Sequence, residues 1–398
     1  MKPQTLRSYW PARRVALGAM FVTALGLAAA LHAQNFDAGS DGSLGDVIIA
    51  TDTTLDLPPD GKLHFRNLTV NSGATLRFNR NPRNTPVFIL SRSNVVVDGT
   101  ISVDGGDRSA NTGGLAGPGG FAGGKSGFGA DSPPGFGYGP GGGAPGNIDD
   151  CSLAAGRAQG GSFGNLSFGA AASSIYGNTL LIPLVGGSGG GGGQGTQSGG
   201  GGGGGAVLIA ANTRVAVNGA IVARGGRSGN CNNPGSGGGI RLVSLRVEGA
   251  GTLDTGRGPT PNRGFGTEGL GRVRVDSVIR TGVNFNTVGV TTIGGNLLAF
   301  PPVVATLTVT EAAGFAVPTG SGPVVFTLPF GSSTNRTIRI RAQDFGRNVP
   351  IRVTLTPDTG DKRVFDAEVD NTTVNPAVVD VPVTVPVNTL VTVHCWTR

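Results

Sequence analysis

The sequence predicts an all-β protein: a parallel β-helix interrupted by a glycine-rich insert and followed by a C-terminal immunoglobulin-like β-sandwich. Three observations carry this prediction. The stretch Val87 to Gly106 aligns without a gap on Val207 to Gly226, at a constant offset of 120 residues. Glycine is concentrated, with 47 of the 73 glycines of the 398-residue chain lying in residues 101–240. Beyond Phe300, Pro301 and Pro302 glycine thins out and seven alternating apolar stretches follow one another. With 14% charged and 6% aromatic residues, coiled coils, helix bundles and charge-rich disordered tails are excluded.

The chain opens with Lys2, Arg7, Arg13 and Arg14 ahead of an uncharged run from Val15 to Leu31. A basic start, an apolar middle and a small residue, Ala33, at the cut predict a signal peptide over residues 1–33. The Arg13-Arg14 pair is compatible with the twin-arginine route. An uncleaved anchor is the alternative, because an apolar run of this length lies near the lower limit for spanning a bilayer. Cleavage removes four positive charges and no negative ones, so the formal +7 falls to 27 basic against 24 acidic residues, a net of +3. The basic character belongs mostly to the discarded segment, and no specific nucleic-acid partner is expected. No second apolar run of spanning length follows and no cysteine stands directly after the signal to carry a lipid. The mature chain is therefore expected to be secreted, extracellular or at the cell surface.

Residues 34–300 read as the β-helix. In the repeated stretch Val95, Val97, Ile101 and Val103 alternate around a kink at Gly99, a period-two pattern that fits two short strands joined at a corner. Weaker copies surround it, and anchors at Val47, Leu68, Val95, Val215, Leu245 and Val273 are separated by 21, 27, 120, 30 and 28 residues. All but the 120 suit one turn of a solenoid, in which each coil is too small to stand alone and stacking covers its Val and Ile. An antiparallel sandwich is the competing architecture, but it gives no reason for glycine corners to recur at fixed positions.

The insert, at about residues 107–205, has no G-X-Y period, which excludes collagen. Gly189–Gly193 and Gly199–Gly205 have no side chains to form a core and cost the most backbone entropy to order. A flexible surface insert is the expectation; glycine chains packed side by side against the solenoid are the alternative. The apolar islands Phe163 to Phe168 and Leu180 to Val185 are candidate anchors for it.

From residue 301 to 398, strands are predicted at 303–309, 324–328, 337–341, 351–355, 364–369, 378–385 and 390–396. Turn residues such as Asp358 to Asp361 separate them, as in a sandwich of immunoglobulin-like size.

Several segments together resemble a family of glycine-rich secreted bacterial β-solenoid proteins: Asn35 to Ser43, Leu55 to Gly61, Asn84 to Leu90 and Val97 to Gly106, with less distinct similarity from Val391 to Arg398. The resemblance covers roughly residues 35–275. It implies export and an all-β solenoid, and it carries over no catalytic residue.

Three cysteines remain after export, where disulfides form. Cys151 lies in the insert that leaves the solenoid after Gly106, and Cys231 lies just after the equivalent corner at Gly226, so a Cys151–Cys231 bridge is expected to close the insert. Cys395 continues the alternation of Val391 and Val393 and is expected as a buried free thiol.

Gly119 to Ser126 spells the P-loop pattern, and Gly186 to Gly190, with Ser188 central, spells the nucleophile elbow. In a tract this rich in glycine both are accidental, and Pro133 and Pro134 after the first oppose the helix a P-loop needs. Polysaccharide cleavage on a β-helix requires paired acids near a histidine, or a cation with a basic residue. The mature chain offers only His64 and His394 and one adjacent acid pair, Asp149-Asp150, read as a solvated turn. Asp37, Asp41 and Asp46 are candidate oxygen ligands for a structural Ca²⁺, although the segment breaks the EF-hand spacing and lacks its closing Glu. No catalytic residue and no other cofactor is assigned. The expected function is a secreted or cell-surface structural or adhesive protein that meets extracellular polysaccharide or cell-envelope components. The alternative is an extracellular carbohydrate-active enzyme, a lyase or hydrolase, on the same solenoid.

Overall fold

A computed structural model describes residues 36–146, 156–167, 170–171, 174–229, 233–259, 269–280 and 282–398. Residues 1–33, expected to be a signal peptide, and Cys151, Cys231, Asp149 and Asp150 lie outside the described residues. Regular structure among the described residues is β, with no α-helix.

Numbered in chain order, strands β1 (Asp46–Ile49), β4 (Asn67–Val70), β7 (Asn94–Val97), β9 (Ala206–Val217), β11 (Gly239–Glu248), β13 (Arg272–Ile279) and β15 (Val290–Gly294) follow one another across a parallel sheet. It is widened by β3 (Lys62–Phe65) and β6 (Val87–Ser91), which pair in turn with the first half of β9. A second parallel sheet holds β2 (Thr53–Asp56), β5 (Thr75–Asn79), β8 (Thr100–Ser102), β10 (Ala220–Val222), β12 (Thr252–Asp254) and β14 (Asn286–Val288).

The repeat at offset 120 is a spatial stack: Val87 pairs with Val207, Val95 with Val215 and Ile101 with Ile221. Side chains repeat the offset. Asn218 Nδ2 donates to Asp98 Oδ1 (2.8 Å), and the backbone N–H of Arg224 and Arg227 donate to Asp104 Oδ1 (2.6 Å) and Asp107 Oδ1 (2.7 Å). The strands before and after the insert are thus immediate neighbours.

Two of the sequence anchors shift. Val215 pairs with Val247 and not Leu245, because a register irregularity between Ser244 and Arg246 leaves Leu245 unpaired. Val273 pairs with Ile240, in the row of Val207, so it belongs to the first half of a coil and not to the row of Val95.

Between the two parallel sheets, Val70, Val97 and Val217 meet Leu76, Ile101, Ile221 and Leu253, all fully buried in one core. At about 1.5–3 kcal/mol for each fully buried aliphatic side chain, the stacking offsets much of the ordering entropy of these short strands. A smaller cluster on the outer face of the large sheet joins Leu90, Leu208 and Val243 to Phe36 and Ala299.

Toward the C-terminus, β16 (Thr306–Ala312), β17 (Phe315–Ala316), β19 (Asn335–Gln343) and β22 (Ala377–Thr384) form one antiparallel sheet. A second holds β18 (Val324–Thr327), β20 (Asn348–Pro357), β21 (Arg363–Asp370) and β23 (Leu390–Thr397). Their alternating inward residues, among them Ile338, Ile340, Val353, Leu355 and Val393, share one core. Ion pairs such as Arg339–Asp380 and Arg352–Asp366 stand on the solvent side, where each is worth little. Residues 36–398 form one compact unit, and contacts such as Arg83 Nε donating to Gly320 O (2.8 Å) join the parallel to the antiparallel part.

Candidate functional site: a cross-bonded glycine layer and the cleft beside it

Among the described residues, the glycine-rich tract packs as cross-bonded chains, the packing held as the alternative to the flexible insert expected from composition. Along Gly199–Gly205 the hydrogen bonds turn through three directions with a period of three. The N–H groups of Gly200 and Gly203 donate to Gly124 O and Phe121 O (2.9 and 2.8 Å). Those of Gly201 and Gly204 donate to Asn233 O and Ser236 O (3.0 and 2.9 Å), and those of Gly202 and Gly205 to Gly106 O and Val103 O (3.0 and 2.7 Å).

The carbonyls point to three further chains. Gly200 O and Gly203 O accept from Gly114 and Gly117, Gly201 O and Gly204 O from Gly190 and Gly187, and Gly199 O and Gly202 O from Gly229 and Gly226. One glycine chain therefore has six neighbours, three taking its donors and three supplying donors to its acceptors. A repeat of three residues per turn is that of polyproline II, which makes no internal hydrogen bonds and so leaves every backbone group free to bond outward.

Close approach is what demands glycine here. None of Gly199–Gly205 has a left-handed φ, whereas an added Cβ at Gly201, Gly202 or Gly203 would fall well inside van der Waals contact of Gly226 O, Leu115 O or Gly187 O. The ordering entropy is offset by satisfied backbone groups and close chain packing instead of by buried side chains. Sequence reasoning held this packing only as the alternative because it sought side chains for a core. The available signal was spacing: Gly114 and Gly117, and Gly143 and Gly146, are three apart, and each pair donates along one partner chain.

Both chance motifs lie in this layer with their groups spent. In the P-loop spelling, the N–H groups of Phe121, Gly123, Gly124 and Ser126 donate to Gly187, Gly114, Gly190 and Asn111 carbonyls, so these four are not available to cradle phosphate. Lys125 Nζ reaches Thr359 Oγ1 (3.4 Å). Ser188 is fully buried; its Oγ accepts from Gly141 N–H (3.0 Å) and bonds Tyr176 Oη (2.9 Å), as a structural hydroxyl does.

The three candidate calcium ligands are held apart by local partners. Asp37 Oδ1 accepts from Gly39 N–H (2.9 Å) and Asp41 Oδ1 from Ser43 N–H (2.8 Å), the latter bonds keeping the Asp41 carboxyl below its usual range. Asp46 is taken by both arms of Arg66 and by Asn67 Nδ2, which hold its carboxyl down at about 2. Among the described residues no three His, Cys, Asp or Glu side chains gather as a metal-binding group. Cys395 is half-buried, not buried: it packs against the antiparallel core and also faces the neighbouring cleft, where burial pushes its thiol up to about 12. At neutral pH it carries too little thiolate to act as a nucleophile.

That cleft, of about 860 Å³, lies between the glycine layer and the antiparallel sheets. Arg80, Arg83 and Asn84 line it from one side, Tyr138 from the glycine layer, and Thr392 and His394 from β23. The His394 ring meets Phe121 edge-on (5.4 Å between centroids) and Tyr138 at 6.2 Å. Burial, with a smaller push from Lys362, lowers His394 to about 4, so its imidazole is neutral at pH 7. The lining offers hydrogen-bond donors and rings, and no carboxylate among the described residues.

The depressed histidine has a testable consequence. Between its unfolded value near 6.5 and about 4, the unfolded chain binds a proton there that the folded chain refuses, so stability rises with pH across this window and is lost as pH falls through it. Thermal melts of the wild type from pH 7 to 4.5 should show a steeper fall in Tm than those of His394→Phe; parallel curves would remove His394 from the pH response.

No helix among the described residues is long and apolar enough to cross a membrane. No family model, curated protein or solved structure matches the chain.

Proposed function

We propose that this chain is a secreted or cell-surface structural and adhesive element. In this reading a parallel β-helix is stiffened along one side by the glycine layer and ends in an immunoglobulin-like β-sandwich. The parallel pairing of each pass with the previous one and the signal-like residues 1–33 support it. The observation that carries it is the six-neighbour packing of Gly199–Gly205, which cross-bonds seven chain segments through their backbones into one slab. Such a slab suits a load-bearing or display role, and the donor-rich cleft beside it suits the hydroxyl and acidic groups of an extracellular polysaccharide or cell-envelope component.

The test is retention on immobilised acidic polysaccharide. Intact protein should be retained at low salt, and the exposed double variant Arg80→Ala/Arg83→Ala should bind at least tenfold more weakly. The same protein should release no reducing or unsaturated sugar from a glycan panel. Glycan turnover would replace this reading by the carbohydrate-active enzyme, and equal retention of the double variant would remove the cleft from it.

A further inference from the structure

A second cavity, of about 620 Å³, lies over the outer face of the large parallel sheet, and its walls are apolar: Phe88, Leu184, Leu208, Phe300, Leu307 and Trp396. Its size falls within the range of small-ligand sites, about 300–1,000 Å³. One charged residue lines it, Arg241 of β11, whose side chain is only 2% exposed. Arg241 Nη1 donates to Ala299 O (3.1 Å) and Nη2 to Leu298 O (2.6 Å), while its buried Nε–H has no hydrogen-bond partner.

The charge balance around it is unequal. Arg241 Nη2 stands 3.6 Å from Asp276 Oδ2, an oxygen with no hydrogen bond of its own, and Asp276 Oδ1 is taken by Arg274 Nη2 at 2.6 Å. Two buried guanidiniums share one buried carboxylate, and no other carboxylate is ion-paired with either among the described residues. One positive charge is left in excess at the base of an apolar cavity, an arrangement that favours an anion able to desolvate with an apolar tail. Val303 and Val304, more than half exposed, also line the cavity and give the tail an apolar route to solvent.

We propose that this cavity binds a single-chain carboxylate amphiphile, with its head on Arg241 and its chain against Leu184, Leu208 and Phe300. A carboxylate there pairs with the Arg241 guanidinium and brings the cluster of Arg241, Arg274 and Asp276 to neutrality. The sheet and the segment from Ala299 to Ala305 contribute apolar walls, so the ligand spans the contact between the parallel sheet and the segment leading to β16.

Calorimetric titration of the full exported chain with dodecanoate and with dodecanol tests this. Dodecanoate should bind one to one and at least tenfold more tightly than dodecanol. Octanoate should bind more weakly than dodecanoate, by about fourfold for each methylene that is fully buried. Val304→Trp, at an exposed position, should weaken both C12 ligands at least tenfold. Arg241→Lys, checked for folding by its far-UV spectrum, should weaken dodecanoate alone. Equal affinities for dodecanoate and dodecanol, no saturable binding, or a Val304→Trp protein that binds as the wild type does would each overturn the assignment, whether or not Arg241→Lys folds.

Discussion

Gly202→Ala should destabilise the protein by about 3 kcal/mol or more, whereas Gly295→Ala should change stability by no more than about 0.5 kcal/mol. At Gly202 the added methyl is aimed at Leu115 O, a backbone atom that has no rotamer with which to move aside. Gly202 also donates to Gly106 O and accepts from Gly226 N–H, so a shift that relieves the clash breaks bonds to two chains. Each buried backbone group left unpaired costs about 1–3 kcal/mol. At Gly295 nothing lies within 4 Å of the new Cβ and φ is not left-handed, so that variant measures only the generic effect of the substitution. Chemical denaturation of the two variants beside wild type decides the matter. Equal midpoints would mean that the glycine chains are loosely packed, which would remove the main support for a rigid slab.

The parts of the fold that were legible in the sequence are those made by side chains. Val95, Val215, Ile101 and Ile221 announce their stacking because a period of two and a constant offset of 120 are properties of the residues themselves. The seven C-terminal stretches correspond to β16, β18, β19, β20, β21, β22 and β23 for the same reason; only the two-residue β17 has no pattern of its own. The exact partner of Val215 was not legible, since Leu245 and Val247 are both apolar and the register irregularity between Ser244 and Arg246 leaves no mark in the hydrophobic pattern. The glycine layer was legible only as the alternative to a flexible insert. Its contacts run from backbone to backbone, and a residue without a side chain leaves no trace of which chain it faces. Arg241 was equally silent: it stands in an ordinary alternating strand, and its isolation follows from the segment around Leu298 and Ala299 that folds over it from 57 residues away.

That segment gives the second large effect. Asp276→Asn should cost about 3–5 kcal/mol, the scale for breaking a buried ion pair by removing one partner. On β13 the alternation Arg272, Arg274, Asp276 sets three buried polar side chains on the outer face of the sheet; Arg272 donates to Tyr176 O, while Arg274 and Asp276 meet the strap from Gly294 to Phe300. The Asp276 carboxylate accepts from Arg274 Nε (3.0 Å), Arg274 Nη2 (2.6 Å) and the N–H of Asn296 (3.0 Å), and it faces Arg241, which holds the carbonyls of Leu298 and Ala299. An amide of the same shape keeps an acceptor for Arg274 but leaves two buried guanidiniums with no countercharge. The strap would then be held only by carbonyls that bond to a destabilised cation. Asp366→Asn is the proper comparison, because Asp366 also serves two arginines, Arg352 and Arg398, but at the surface, where such pairs contribute about 0–1 kcal/mol. Denaturation midpoints of the two variants, with proteolysis of the strap as a local readout, separate the cases. If Asp276→Asn costs no more than Asp366→Asn, the cluster under the strap is hydrated, and it is not the buried, charge-unbalanced group that holds the parallel sheet to the segment leading into β16.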